Sequence, residues 1–366
     1  MFDYLHYVPV LRWKKAERDA LAALDGRARQ ITTPLIELPM GELLGVRRRR
    51  RNTPVQYLSE MAADVLRCWG STPTFLDLRL VSDELRVGGH HPLSVLAHLI
   101  VNRGGRVVPV TGLGRSPRYQ EAVRRVAGVG NGACIRLFLP DLRPGADREL
   151  GRLLRALQLD AAHVDLIVDC QVVTRDGDGL ANLARAVPRI DDWRSITLMA
   201  GAFPKDLTGF KPGVHTLERT DWLRWRSFVS VKGLRRAPAY GDYISLHAVF
   251  MEPPPGANFS ASIRYACEEY WLIMRGEGVR NRGSAGYQQW PANAQLLIER
   301  AEFQGPMFSA GDNFIYRKAI SRGEPGNATQ WVFAGVNHHL TLVARQMASL
   351  PVPQYANTQR YETHRR

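Results

Sequence analysis

Cysteine is scarce, long apolar runs are missing, and none of the common catalytic or ligand signatures is present. The four cysteines in 366 residues, Cys68, Cys134, Cys170 and Cys267, form no CxxC pair. Three of them sit inside apolar segments, where a reduced, buried thiol is the ordinary outcome, so neither a metal nor a redox role is expected of them. No run of eighteen uncharged apolar residues occurs, which argues against a transmembrane helix. The N-terminal stretch MFDYLHYVPVLRWKK lacks the basic start, apolar middle and small-residue cleavage site of a signal peptide. The expected location is the cytoplasm, with no membrane among the partners. Phosphate loops of the GxGxxG or GxxxxGKS/T type follow none of the apolar runs, which weighs against an open nucleotide-binding sheet. HxH, HExxH and DxDxD are absent too, and no GxSxG elbow presents a serine nucleophile.

What is present is a chain that is 45% hydrophobic, long enough for one large domain with an appendage or for two domains. Its formal charge is +14 and its pI is about 10.0, a balance that favours polyanionic partners. Much of the excess is arginine, including the run Arg47, Arg48, Arg49, Arg50 and Arg51. This run is a candidate nucleic-acid grip, and equally a solvated loop or the product of a GC-rich genome.

The organising stretch is Thr74 to Val81, TFLDLRLV. Phe75, Asp77 and Arg79 share one parity and Leu76, Leu78 and Leu80 the other, so a strand here presents a leucine face to helices and a charged face elsewhere. Comparable runs recur at Tyr7 to Arg12, Pro34 to Pro39, Arg106 to Gly112, Cys134 to Pro140, His163 to Gln171, Ser195 to Phe203 and Tyr243 to Phe250. Amphipathic helices are predicted between them, among them Lys14 to Leu24, Pro54 to Trp69 capped by Thr53, Pro92 to Val101, a helix opening at Ser116 and Pro117, and Gly179 to Val187. Eight strand–helix repeats are the pattern of a parallel sheet that closes on itself, and the expected fold is an α/β (β/α)8 TIM-like barrel with a C-terminal helical and looped cap. The expected boundaries are residues 1–274 for the barrel, with Ala261 to Met274 as its last helix, 275–350 for the cap and 351–366 for a polar tail.

Strand parity places Arg12, Lys14, Glu37, Asp77, Arg79, Arg136, Asp165, Asp169, Gln171, Ser245 and His247 on the inner face. Active sites of such barrels gather where strands end. Unpaired charge there costs several kcal/mol per ion, so these groups must pair or line a cleft. Arg12, Lys14, Arg79 and Arg136, with Arg264 from the SIRY segment after strand eight, suit an anionic, phosphate-bearing ligand. Glu37 and Asp169 are the candidate bases and His247 the candidate proton donor. Asp77, one layer below Arg79, is expected to orient the arginines rather than act as base. No dedicated metal site is expected, although one Mg²⁺ held by Glu37, Asp77 and Asp169 stays open as an alternative. The closing Asn337, His338 and His339 read as a docking contact, since adjacent helical side chains diverge by about 100°.

The opening YVPVLRWKKAERDAL, the PLIELP strand, SIRY with the following WLIMRG, FSAGDNFI and the stretch from Trp331 to NHH together resemble the phage- and bacteria-encoded "beta protein" family. The resemblance covers nearly the whole chain. It implies a setting among phages and mobile or antiviral-defence gene clusters, and no catalytic assignment. The expected function is a phosphate-ester-handling barrel, a phosphodiesterase or nuclease acting on nucleic acid or nucleotides. The alternative is a non-catalytic basic protein that engages nucleic acid or a partner protein from the same gene cluster.

Overall fold

The computed structural model describes residues 3–43, 53–175, 187, 189–230, 234–252, 256–321 and 323–350. The arginine run Arg47 to Arg51, most of the helix expected at Gly179 to Val187, and the tail lie outside them. β1 (Tyr7–Leu11), β2 (Leu35–Glu37), β3 (Pro73–Asp77), β4 (Arg106–Thr111), β5 (Ala133–Phe138), β6 (Val164–Val172) and β7 (Ser195–Gly201) pair in chain order, all parallel. β8 (Gly213–Glu218) stays outside the ring, and β9 (Ala239–Asp242) pairs with both β7 and β1 to close a (β/α)8 barrel.

Period-two alternation sets the two faces of each strand. Val8, Val10, Leu35, Phe75, Val108, Val110, Cys134, Ile167 and Met199 fill the barrel interior. Leu11, Ile36, Leu76, Ile135 and Leu166 turn outward into a second cluster shared with the surrounding helices. Those helices are α1 (Lys15–Ala22), α2 (Gly26–Gln30), α3 (Met40–Leu43), α4 (Pro54–Trp69), α5 (Pro92–Val101), α6 (Pro117–Ala127), α7 (Ala146–Leu157) and α8 (Thr220–Val229). Three begin with proline at the first helical position behind an accepting cap: Thr53 takes the Gln56 N–H at 3.3 Å, His91 the Leu93 N–H at 3.2 Å and Ser116 the Tyr119 N–H at 3.1 Å.

Two elements differ from the sequence expectation. The eighth barrel strand is Ala239–Asp242, four residues ahead of the apolar run at Tyr243 to Phe250. The barrel interior needs a small residue there: a Cβ on Gly241 would stand 3.0 Å from both the Met199 methyl carbon and the Val8 carbonyl oxygen. The apolar run instead folds across the mouth, where Tyr243 and Ala248 join the interior cluster. The helix expected at Ala261 to Met274 is a pair of strands, β10 (Ile263–Ala266) and β11 (Tyr270–Arg275), in an antiparallel sheet of order β10-β11-β8. Its β-branched and aromatic residues alternate about a turn at Cys267 to Glu269, and burying both sheet faces overrides the helical reading. The boundary expected at Met274 therefore falls inside β11.

After β11 come α9 (Gln289–Ile298), α10 (Ala310–Ile320) and the 21-residue α11 (Ala328–Ala348). α11 packs on α1, α2 and β1, so it takes a place in the helical ring beside the seam where β9 meets β1. Asn337 fastens it on two sides, accepting the Gly311 N–H at 2.8 Å and donating to the Ala20 carbonyl at 2.9 Å. His339 meets the barrel carboxylate Asp242 at 2.7 Å, while His338 faces Asp312 at 2.8 Å and the Ala266 carbonyl at 2.7 Å. Both ring nitrogens of His338 thus face acceptors. The two adjacent histidines serve different carboxylates, and both dock α11. All four cysteines are buried and free, and among the described residues no helix is long and apolar enough to cross a membrane.

α10 and α11 cross where a Cβ on Gly311 would lie 2.2 Å from the Ala334 carbonyl oxygen. Gly311→Ala must push the helices apart and is expected to lower unfolding stability by about 1–3 kcal/mol. A urea titration checks this; an unchanged midpoint would contradict the contact.

Candidate functional site

Three strands carry the same local device near their C-terminal ends. The carboxylates of Asp77 on β3, Asp169 on β6 and Asp242 on β9 each accept the backbone N–H two residues on, from Arg79 at 2.9 Å, Gln171 at 2.8 Å and Ile244 at 3.0 Å. On β3 and β9 the Asx turn ends the strand, and on β6 it sits where the pairing with β7 shifts register, between Asp169 and Val172. Gln171 and Ile244 hold φ of +52° and +60°, and Trp13, just past Arg12, holds +59°. Bulky residues in the left-handed region cost about 1–3 kcal/mol each, and such strain gathers at working sites.

Inside this ring of turns sits Arg136, entirely buried on β5. Its Nε and Nη2 donate to Asp169 Oδ2 at 2.9 and 2.6 Å, and Nη2 also reaches the Tyr243 hydroxyl at 2.7 Å. Nη1 donates to Glu37 Oε1 at 2.7 Å and Asp77 Oδ2 at 2.9 Å. One guanidinium therefore touches Glu37, Asp77 and Asp169 at once, while Asp242 faces Tyr7 and His339 instead. Tyr243 adds a bond of its own to Asp169, at 2.5 Å. Arg12 and Arg79 pair with Glu37 from two sides, and Arg115 Nη2 bonds Asp77 at 3.0 Å.

Burial by itself would raise the Asp77 pKa, but the guanidiniums of Arg115, Arg136 and Arg79 outweigh it and hold the carboxyl below its usual range. Burial likewise opposes the charge on Arg136, and Tyr243, Asp169 and Asp77 more than restore it. Arg12 is pushed down to about 10, chiefly by burial, which leaves it cationic at neutral pH. Four guanidiniums, Arg12, Arg79, Arg115 and Arg136, thus meet three carboxylates, Glu37, Asp77 and Asp169. Adding Lys14 and the buried Glu17, which closes the start of α1 by accepting the Lys14 N–H at 3.2 Å, leaves the excess of one positive charge unchanged.

The lattice has a depth. Glu37, Asp77 and Arg136 have no exposed side-chain surface, whereas Arg79 and Arg115 are 17% and 13% exposed and form the rim. Arg79 lies over the Phe138 ring at 5.5 Å and Arg115 over Tyr119 at 4.9 Å. Lys14 is half-buried with its ammonium 5.7 Å over the Phe250 ring. Three residues from the sequence reading stand elsewhere. Asp165 lies at the opposite end of the barrel, paired with Arg194 at 2.6 Å, because the inward set of the nine-residue β6 spans both ends. His247 is half-buried on the covering segment, its Nδ1 at the Phe203 carbonyl at 3.1 Å. Arg264 is half-buried on β10 and donates to the Ser245 carbonyl at 2.6 Å rather than to any mouth carboxylate. Arg79 itself lies beyond the end of β3, in the turn that Asp77 closes.

Arg115, Tyr119 and Tyr243 belong to the site and escape a parity reading. Arg115 follows β4, whose mouth-facing residues are apolar or hydroxylic, and only the glycine-flanked GLGR loop at that strand's mouth hints at it. Arg136 occupies the space among Glu37, Asp77 and Asp169, so a Mg²⁺ ion does not fit between them without displacing it.

The family model described as Beta protein matches residues 7–345. The chain belongs to the Beta protein family. The match spans β1 to the last turn of α11, so the barrel, the small sheet and the docking helix all fall within the family's extent. No curated protein matches the chain.

In this family member, removing Asp77 strands buried guanidinium. Asp77→Ala is expected to lower stability by about 3–5 kcal/mol, and Arg79→Ala, at the rim, by about 1 kcal/mol or less. Thermal melts of the two variants compare them, and equal shifts would contradict the layering. The depressed Asp77 carboxyl stabilises the fold above its unfolded pKa, and that contribution is lost as pH falls through the lower folded pKa. Wild type should therefore lose stability below about pH 4 more steeply than Asp77→Asn, a comparison made by denaturant titration from pH 6 to 2.5.

Proposed function

We propose that the barrel mouth binds a phosphate-bearing ligand, a nucleotide or a nucleic-acid strand, and that Arg79 and Arg115 are the groups that meet it. One observation carries the reading: the mouth holds one more guanidinium than its carboxylates neutralise, and the least buried pair stands at the rim. Guanidinium offers phosphate a planar fork of donors, and a ligand anion would complete the charge balance. The backbone strain at Trp13, Gln171 and Ile244 supports a working site at this end. A phage or antiviral-defence setting would supply such ligands.

Hydrolysis of a phosphodiester is the leading reaction class, and it needs a base with a free lone pair. Both carboxylate oxygens of Asp169 already accept hydrogen bonds, from Gln171, Arg136 and Tyr243, and both of Glu37 face guanidinium. His247 keeps Nε2 without a partner among the described residues. The saturation favours recognition over turnover, unless an arriving phosphate draws Arg79 or Arg136 away from Glu37 or Asp169.

Titration with nucleotides, single-stranded DNA and RNA, with and without Mg²⁺, tests the proposal. Binding should weaken with rising salt, and Arg79→Ala and Arg115→Ala should each lower affinity about tenfold. Turnover lost in Asp169→Asn would make the protein a hydrolase. Salt-insensitive capture of a protein, with no affinity for phosphate, would overturn the reading in favour of a partner-protein role.

A further inference from the structure

Beside the mouth stands a second basic cluster that the lattice does not use. Arg264 and Arg275 lie on one face of the small sheet: Arg264 is opposite Ile273 on β11, and Arg275 follows two residues later. Neither makes an ion pair among the described residues. Arg264 bonds the Ser245 carbonyl at 2.6 Å and lies over the Phe203 ring at 4.6 Å. Arg275 bonds the Phe210 carbonyl and the Ser262 hydroxyl, both at 3.3 Å. Burial and the neighbouring guanidinium push Arg264 down to about 10, and burial lowers Arg275 while the charge of Asp206 opposes that shift. Asp206 is exposed and takes its hydrogen bonds from Thr208. Exposed Lys205 and Lys211 flank it on the same loop. The balance is strongly positive, and the two arginines are half-buried.

The segment Tyr243 to Phe250 links this patch to the mouth. Arg136 holds its Tyr243 hydroxyl, Arg264 its Ser245 carbonyl and Arg12 its Ala248 carbonyl, the last at 2.9 Å. Ser245 and Ala248 are at most about 11 Å apart along the chain. Half-buried aromatic rings accompany the cations at the mouth, Phe138 with Arg79 and Phe250 with Lys14, while the buried Phe203 backs Arg264. A basic track interleaved with aromatic faces is how proteins hold single strands without reading sequence.

We propose that Arg264 and Arg275 form a second phosphate subsite, and that the ligand is a single-stranded oligonucleotide whose backbone runs from the barrel mouth over the Tyr243 to Phe250 segment onto the small sheet. The inference rests on the mouth taking the first phosphate, and it adds the ligand's class and direction. A mononucleotide fills only the mouth. A longer strand reaches both subsites.

The test uses the full chain and fluorescently labelled oligo-dT and oligo-U of two, four and eight nucleotides, with AMP as the short probe, over a range of salt. Wild type should bind the eight-mers at least tenfold more tightly than AMP. Arg275→Gln should weaken eight-mer binding about tenfold, lower the slope of log affinity against log salt by about 0.7 and leave AMP unchanged. Arg264→Gln should act on the eight-mers in the same way, and Arg264→Lys should restore most of the affinity; melts confirm that each variant folds. Equal affinity for AMP and eight-mers, or equal loss of both in Arg275→Gln, overturns the second subsite and leaves the mouth reading standing. Eight-mer binding that depends on Arg275 and is indifferent to Arg79→Ala and Arg115→Ala keeps the subsite and overturns the mouth. No binding of any phosphate overturns both.

Discussion

A guanidinium deprived of water has to be answered by carboxylates, and Arg136 is answered from three strands at once. Moving such an ion from water into the interior costs several kcal/mol even after relaxation, and only well-placed partners offset it. Glu37 comes from β2, Asp77 from β3 and Asp169 from β6, so the offset exists only when these strands curl into one sheet around Arg136. An apolar plug would have closed the barrel with less risk, which is a reason to read the lattice as kept for its chemistry rather than its stability.

The same logic repeats at the seam between β9 and β1. Asp242 ends β9, turns the chain through Ile244 and receives the Tyr7 hydroxyl at 2.7 Å and His339 at 2.7 Å. A residue from the far end of the chain thus completes the barrel's last strand. His339 sits under Trp271 of the small sheet, whose indole N–H points to His339 Nδ1 at 3.4 Å; the other ring nitrogen is then the donor to Asp242. Burial lowers the pKa of His339 against the pull of Asp242, in keeping with a neutral ring that carries one proton and serves both partners. The cap is coupled to the barrel through this contact and through Asn337, not merely laid over it.

At the mouth, order and strain coexist. The Tyr243 to Phe250 segment follows an Asx turn, passes through a left-handed isoleucine and is fastened by Arg136, Arg264 and Arg12.

Much of this was legible in the sequence because strand parity is local. Phe75, Asp77 and Leu76 declare their faces by alternation alone, and the same rule picked out Arg12, Glu37, Arg136 and Asp169 as inward charges and the TIM-like barrel as their frame. Pro54, Pro92 and Pro117 marked helix starts because their fixed φ and missing N–H suit only that position. Partners and places were not legible, since they depend on contacts far apart in the chain. Only the closed ring decides that Arg136 takes Glu37, Asp77 and Asp169 together, that Arg115 from the loop after β4 joins them, and that Asp165 faces the opposite end. The weakly apolar AYGD became the eighth strand because Gly241 fits against Met199 and Val8, whereas the stronger run after it was drawn across the mouth. IRYA and YWLIMR became strands rather than a helix because β8, fifty residues earlier, offered them an edge.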